Sequence, residues 1–255
     1  FGALDAPIPD GEFLILGGDI TLLQVLDKEN NNYHTPIGAR LRERTMAFIE
    51  QCRESFERVF MLIGNHEAYG YDLSKAPRTI RRALKGVELL ENKAVDLGSN
   101  VILAGATLWT DMNGGRDAFT VSRGMNDFQG AIHVEDIEGT RTPGEYQTRR
   151  FTTDDAVAMF HKSQRFISAT ADANKGKIVV VATHHAPSIQ GIDKERHVRS
   201  ASIWPGYFTP LEAFIEAHPR IKVWVHGHTH LQKAYTIGQC QVLSNARGYI
   251  GHEHS

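Results

Sequence analysis

The sequence predicts an α/β fold built on strands that are largely parallel and covered on both faces. Three observations carry that prediction. Short apolar runs recur along the chain without polar alternation, helical patterns lie between them, and four of the runs end in a motif rich in His, Asp or Asn. Strands buried on both faces read as such unbroken runs. In open sheets of this kind, ligands collect outside the C-terminal ends of the strands.

The strand candidates are Phe13 to Leu16, Val59 to Ile63, Val101 to Leu103, Ile178 to Ala182, Lys222 to Val225 and Gln241 to Leu243. Val87–Leu90 and Ala94–Leu97 flank Glu91-Asn92-Lys93 and read as a hairpin or as two short edge strands. Gly38 to Phe56 carries Leu41, Thr45, Phe48, Ile49 and Cys52 on one stripe, with Arg40, Arg42, Glu43, Arg44 and Glu50 around it, and Pro36 suits its opening. The basic stretch Arg40 to Arg44 reads as a solvated face. A shorter helix is expected over Ala76 to Leu84. From Thr153 a long one follows, with Thr153 as cap, Asp154 and Asp155 in the first turn, and Ala156, Met159, Phe160, Ser163, Phe166 and Ile167 inward. Pro210 to Ala217 is the last helix, with Thr209 and Glu212 as its capping box. Residues 111–150 and 188–208 are the irregular parts and read as binding loops within one domain spanning 1–255.

Composition narrows the function. The chain has 255 residues, 41% hydrophobic and 23% charged, with a formal net charge of -2. That is a globular composition and is not one for coating phosphate backbones, so a long nucleic acid is not the expected partner, although a nucleotide fits. No apolar run reaches the roughly 20 residues that span a bilayer, and no signal segment is visible, so a cytoplasmic location is expected. Cys52 and Cys240 are distant from each other and read as buried free thiols.

Of the 13 histidines, those at strand ends matter. FLILGGDI ends at Asp19. VFMLIGNHE ends at Asn65, His66 and Glu67. IVVVATHHAPS ends at His184 and His185, and KVWVHGHTH at His226, His228 and His230. If these strands are parallel, the four motifs meet. Imidazole nitrogen with carboxylate and amide oxygen suits Mn, Fe, Zn or Ni better than a thiolate set would. Two such ions, ~3.5–4 Å apart, can clamp the attacking and leaving oxygens of a displacement, and a carboxylate such as Asp19 can bridge them.

GGDI, GNHE, THHAPS and GHTH, in that order over Phe13 to His230, resemble the second to fifth sequence blocks of the calcineurin-like metallophosphoesterases. TLWTD and NARGY resemble a bacterial and phage subgroup of them. The resemblance implies a two-sheet β-sandwich flanked by helices, with four αββα layers, in place of a doubly wound single sheet. It implies two divalent metal ions (Mn, Fe, Zn, Ni or Mg, with Mn favoured). Asp19 would bridge the metals, Asn65, His184 and His228 would ligate one, and His230 the other. His66 would contact the phosphate and assist the leaving group, so that Asp19, Asn65 and His66 form the catalytic set. The implied reaction is hydrolysis of a small-molecule phosphate ester, a nucleotide or other phosphodiester first, by a metal-bound hydroxide. Phosphomonoesters, phosphoproteins, and a catalytically impaired scaffold on the same fold are the alternatives.

The family's first block, Asp-x-His, has no counterpart in the chain. One reading places it upstream of Phe1, and the other makes one metal site incomplete; the cost of losing a central strand favours the first. His34 is a poor substitute. Glu67 is expected to orient a histidine or cap a turn. His185 is read as a pocket or supporting residue and His226 as supporting or substrate-facing. Asp111, Arg123, Asn126 and Asp127 read as loop residues able to meet substrate, and Trp204 and Tyr207 as stacking or packing residues. The terminal His252 and His254 read as a solvated tail. His133, His161, His197 and His218 read as ordinary.

Overall fold

The computed structural model describes residues 11–136, 147–195 and 198–248. The 139–145 stretch, His197, Tyr249 of NARGY, His252 and His254 lie outside them. In chain order the elements are β1 (Gly11–Leu16), α1 (Pro36–Ser55), β2 (Phe56–Met61), β3 (Tyr71–Asp72), α2 (Ala76–Ala83), β4 (Val87–Leu89), β5 (Lys93–Gly98), β6 (Val101–Ala106), α3 (Ala118–Gly124), β7 (Ile132–Glu135), β8 (Thr148–Arg150), α4 (Thr153–Ala173), β9 (Ile178–Thr183), α5 (Glu212–Ala217), β10 (Ile221–His226), β11 (Gln232–Ile237) and β12 (Cys240–Asn245).

Two main sheets form. One has the order β1-β2-β4, all parallel. The other has the order β11-β12-β10-β9-β6-β5, with β12, β10, β9 and β6 parallel and an antiparallel strand at each edge. A small third sheet joins β3, β7 and β8.

The unbroken apolar runs now have a physical reason. Val59 and Met61 of β2 pack in the same core as Ile49 and Cys52 of α1, and Val179 and Val181 of β9 in the same core as Phe160 and Ile167 of α4. The alternate residues Phe60, Leu62, Leu103 and Ala182 pack together between the sheets. Each central strand is thus apolar on a helix side and on a sheet side, which gives four layers, helix–sheet–sheet–helix. The single-sheet picture drawn from strand–helix alternation gives way to this sandwich.

Several local expectations need correction. Val87–Leu90 and Ala94–Leu97 do not form a hairpin: β4 pairs with β2, and β5 pairs with β6 in the other sheet, so both are edge strands. The cap of α4 is Thr152, not Thr153, because the Thr152 hydroxyl reaches the Asp155 N–H while the Asp155 carboxylate accepts the Thr152 N–H. Thr209 does not cap α5. Its hydroxyl accepts the Asp111 N–H at 3.0 Å, and Glu212 accepts from Ser188 at 2.6 Å. The 111–150 stretch contains α3, β7 and β8. Arg42 is more than a solvated charge, since it donates to the Val25 and Tyr33 carbonyls and lies 3.8 Å from the Tyr33 ring centre. Cys52 and Cys240 are free and buried, as expected. Among the described residues, no helix is long and apolar enough to cross a membrane.

Candidate metal centre

The parallel strands bring their C-terminal ends to one cleft. Asp19 follows β1, Asn65 and His66 follow β2, His184 follows β9, and His228 and His230 follow β10. The chain leaves these strands through tight, glycine-lined turns. A methyl group on Gly64 would overlap the Asp19 carboxylate, and one on Gly227 would stand 2.8 Å from the Gly17 carbonyl. Asp19, His228 and His230 themselves take left-handed backbone, with φ of 59°, 65° and 50°. Non-glycine residues adopt that region at a cost, and functional sites are where such a cost is often retained.

The side chains converge as ligands do. Among the described residues, Asp19, His184 and His228 form one group able to hold a metal ion, their ligand atoms all within 4.8 Å of one another. The buried His184 ring places Nδ1 2.7 Å from the Gly17 carbonyl. A carbonyl only accepts, so Nδ1 carries the proton and Nε2 presents a lone pair. That lone pair faces Asn65 Oδ1 at 3.1 Å, His228 Nδ1 at 3.1 Å and Asp19 Oδ1 at 3.5 Å. Asn65 turns its Nδ2 away, to Asp127 Oδ1 at 2.8 Å. Two acceptor oxygens and an imidazole lone pair therefore point at one another, with a second imidazole nitrogen beside them. A divalent cation satisfies such a set.

The electrostatics agree. Burial pushes the Asp19 carboxyl up to about 7, and Asp127 adds to this against the opposing pull of the His66 N–H. Burial, then Asp19, push Glu67 up to about 7 as well. Burial raises Asp127 and lowers both His184 and His228, with the neighbouring histidines lowering His228 further. Carboxylates clustered with neutral imidazoles leave the centre short of positive charge.

Glu67 performs neither expected task. Its fully buried carboxylate accepts four backbone N–H groups, from Asp19 at 2.7 Å, Ile20 at 2.6 Å, Thr21 at 3.1 Å and Gly64 at 2.7 Å. It ties the turn after β1 to the turn after β2. His185 is buried beside His184, because β9 ends at Thr183 and strand alternation no longer separates them. Its ring lies 4.3 Å from that of His228 and 5.0 Å from that of Trp109. His226 is buried with its Nδ1 3.0 Å from the Gly227 carbonyl, and burial lowers its pKa to about 4. His34 lies on the surface, bonded to the Lys28 carbonyl.

A cavity of about 230 Å³ opens on the centre, lined by Asp19, Asn65, His66, His228 and His230 and also by Tyr69, Asp127, Trp204 and Tyr207. Asn126 lines it too, whereas Asp111 is held by Thr209 and Arg123 is exposed with its guanidinium over Phe119. Sequence reasoning missed Tyr69, whose ring stacks on His66 at 4.3 Å and 19°. Its place three residues after His66, in a turn too tight to separate them, was the available signal.

Comparison with known proteins is consistent with this architecture. The family described as Calcineurin-like phosphoesterase matches residues 3–232. No curated protein matches the sequence. Among solved structures, a phosphopantetheinyl hydrolase from Mycobacterium tuberculosis superposes with a TM-score of 0.57 at 15% identity, covering 94% of this chain and 80% of that one. A dimetal phosphatase from Danio rerio gives 0.47 at 11%, covering 93% and 87%. TT1561 of Thermus thermophilus gives 0.47 at 10%, covering 93% and 77%. At such identities the first likeness speaks for the fold alone. The sheet order, the ligand cluster at the strand ends and a family match over most of the chain lead to one conclusion: this chain belongs to the calcineurin-like phosphoesterase family.

Proposed function

We propose that the chain hydrolyses phosphate esters with divalent metal ions held at this centre, two when fully loaded and manganese foremost. The supporting observation is the convergence of Asp19 Oδ1, Asn65 Oδ1, His184 Nε2 and His228 Nδ1 with no proton donor among the first three. In this reading Asp19, Asn65, His184 and His228 would hold one ion, and Asp19 with His230 at the cavity wall would hold the second. Bound metal supplies positive charge to the phosphoryl oxygens and lowers the pKa of the attacking water. The chain's own groups then do the rest. Gly17 fixes the His184 tautomer, and Glu67 fixes the backbone that carries Asp19. His66 lines the cavity from its stack on Tyr69, and in this reading it hydrogen-bonds the phosphoryl group and helps the leaving oxygen depart.

The cavity walls support a substrate class. Tyr69, Trp204 and Tyr207 line the cavity with aromatic side chains, and Met125 and Ile192 with apolar ones. Those surfaces suit a compact phosphodiester with a planar or apolar group, a nucleotide among them. The cavity volume suits such a molecule better than a protein segment.

The test is hydrolysis of a chromogenic phosphodiester and the matching monoester by Mn²⁺-loaded protein, in wild type and in His66→Ala. The diester is expected to turn over faster, and the variant to lose about 100-fold or more. A protein that takes up no metal, or a variant as fast as the wild type, overturns the reading.

A further inference from the structure

Asp127 belongs to none of the strand-end motifs. It arrives from the segment between α3 and β7, in a short turn over Asn126–Phe128, and is only 2% exposed. Its Oδ1 accepts from Asn65 Nδ2 at 2.8 Å, and its Oδ2 accepts from the Tyr69 hydroxyl at 3.4 Å. It lies on the cavity wall, yet its carboxylate is engaged with side chains that themselves touch the centre.

We propose that Asp127 is a positioning residue that sets which face of the Asn65 amide meets the metal. The two ends of a side-chain amide have nearly the same shape and opposite hydrogen-bonding character. Facing the lone pair on His184 Nε2, 3.1 Å away, an unsupported amide gains a hydrogen bond by presenting its NH₂. That orientation withdraws the ligand oxygen. A carboxylate oxygen behind the amide reverses the preference, because it accepts and so holds the NH₂ on its own side. Asp127 is that carboxylate. Through the Tyr69 hydroxyl it also steadies the ring on which His66 stacks, so one loop residue links the metal ligand to the phosphate-facing histidine. Groups that orient metal ligands in this way typically contribute about 10- to 100-fold to metal affinity.

The inference rests on Asn65 being a ligand, and a double-mutant cycle separates the two ideas. Mn²⁺ affinity is measured by the electron paramagnetic resonance signal of the free ion for wild type, Asp127→Ala, Asn65→Ala and the double variant, with the metal-free melting temperature of each as a folding check. Asp127→Ala is expected to bind Mn²⁺ at least about 10-fold more weakly than wild type. In the Asn65→Ala background the same substitution should change affinity less than about twofold, because there is no amide left to orient. If Asn65→Ala binds weakly while Asp127→Ala binds like wild type, the positioning role is overturned and the ligand reading stands. If the double variant is much weaker than Asn65→Ala, Asp127 acts on the metal directly and the proposal also falls. If Asn65→Ala binds like wild type, both ideas fall together. Should Asp127→Ala not fold, the near-isosteric Asp127→Asn takes its place in the same cycle. It loses the enforced acceptor, so it should weaken binding in the wild-type background and not in Asn65→Ala; equal loss in both backgrounds overturns the role.

Discussion

The Glu67 carboxylate accepts the backbone N–H of Asp19 at 2.7 Å across 48 positions of sequence, and thereby joins the turns that follow the paired strands β1 and β2. The same side chain holds the N–H groups of Ile20, Thr21 and Gly64. Removing it leaves up to four buried or part-buried donors without partners, each costing about 1–3 kcal/mol unless water enters. Glu67→Ala is therefore expected to lose at least about 3 kcal/mol in urea melts. Glu67→Gln, which keeps one acceptor and the shape, should lose clearly less. A Glu67→Ala variant as stable as wild type would mean that these bonds are replaced by solvent at no cost.

The four motifs were legible because strand burial and strand-end chemistry leave local marks. Asp19, Asn65, His184 and His228 each follow an apolar run, and parallel strands bring such ends together. The sequence marks Glu67 only as a histidine partner or a cap, because nothing in GNHE reveals that the backbone of residues 19–21 arrives short of acceptors. Asp127 stood out no more than its loop neighbours. Its partner Asn65 is 62 residues away, and only the path of the intervening chain brings them together. β11 leaves no mark in the sequence, because Gln232–Ile237 is an edge strand, mostly exposed, and shows no apolar run. The choice between Thr152 and Thr153 as the α4 cap depended on which hydroxyl reaches the third helical N–H, a distance that composition does not encode.

Gly64 stands where any side chain meets the Asp19 carboxylate, the Asp19 N–H and the His184 ring. None of these is the free end of a flexible side chain, since all are held in the centre. Gly64→Ala should push Asp19 away from His184 and weaken Mn²⁺ binding by about 10-fold or more. The overpacking should lower stability by about 1–3 kcal/mol. Calorimetric Mn²⁺ titration alongside thermal melts checks both. Affinity equal to wild type in a folded Gly64→Ala protein would show that the turn can yield without disturbing the ligands.

Away from the centre, Asp27 accepts from the Tyr71 hydroxyl at 2.5 Å and from Arg82 at 2.6 Å. Burial pushes its carboxyl up, but the bonds from Tyr71, Glu29 and Arg82 outweigh that and hold it below its ordinary value of 3.8. A carboxyl with a lowered folded pKa favours folding above its unfolded pKa and loses that contribution as pH falls through the folded one. Asp27→Asn should thus cost about 2 kcal/mol near neutral pH, the scale of hydrogen bonds to a charged group. The gap between wild type and variant should hold steady down to about pH 5 and narrow below about pH 4. Urea melts across that range supply the test. A gap that widens on acidification would contradict the assignment.

Metal binding and folding should also be coupled, because Asp19, His184 and His228 of the candidate cluster come from three different strand ends and meet only in the folded chain. A cation that binds the folded state stabilises it by RT ln(1 + [L]/Kd), about 2.7 kcal/mol when its concentration is 100 times Kd. Mn²⁺ should therefore raise the melting temperature of wild type in a dose-dependent way, and excess chelator should reverse the rise. His184→Ala and His228→Ala each remove a nitrogen from the buried cluster and should abolish most of that shift. His34→Ala, altering a surface histidine bonded to the Lys28 carbonyl, should leave it unchanged and serves as the control for non-specific binding. A shift of equal size in all three variants would place the stabilising ion somewhere other than between the strand ends.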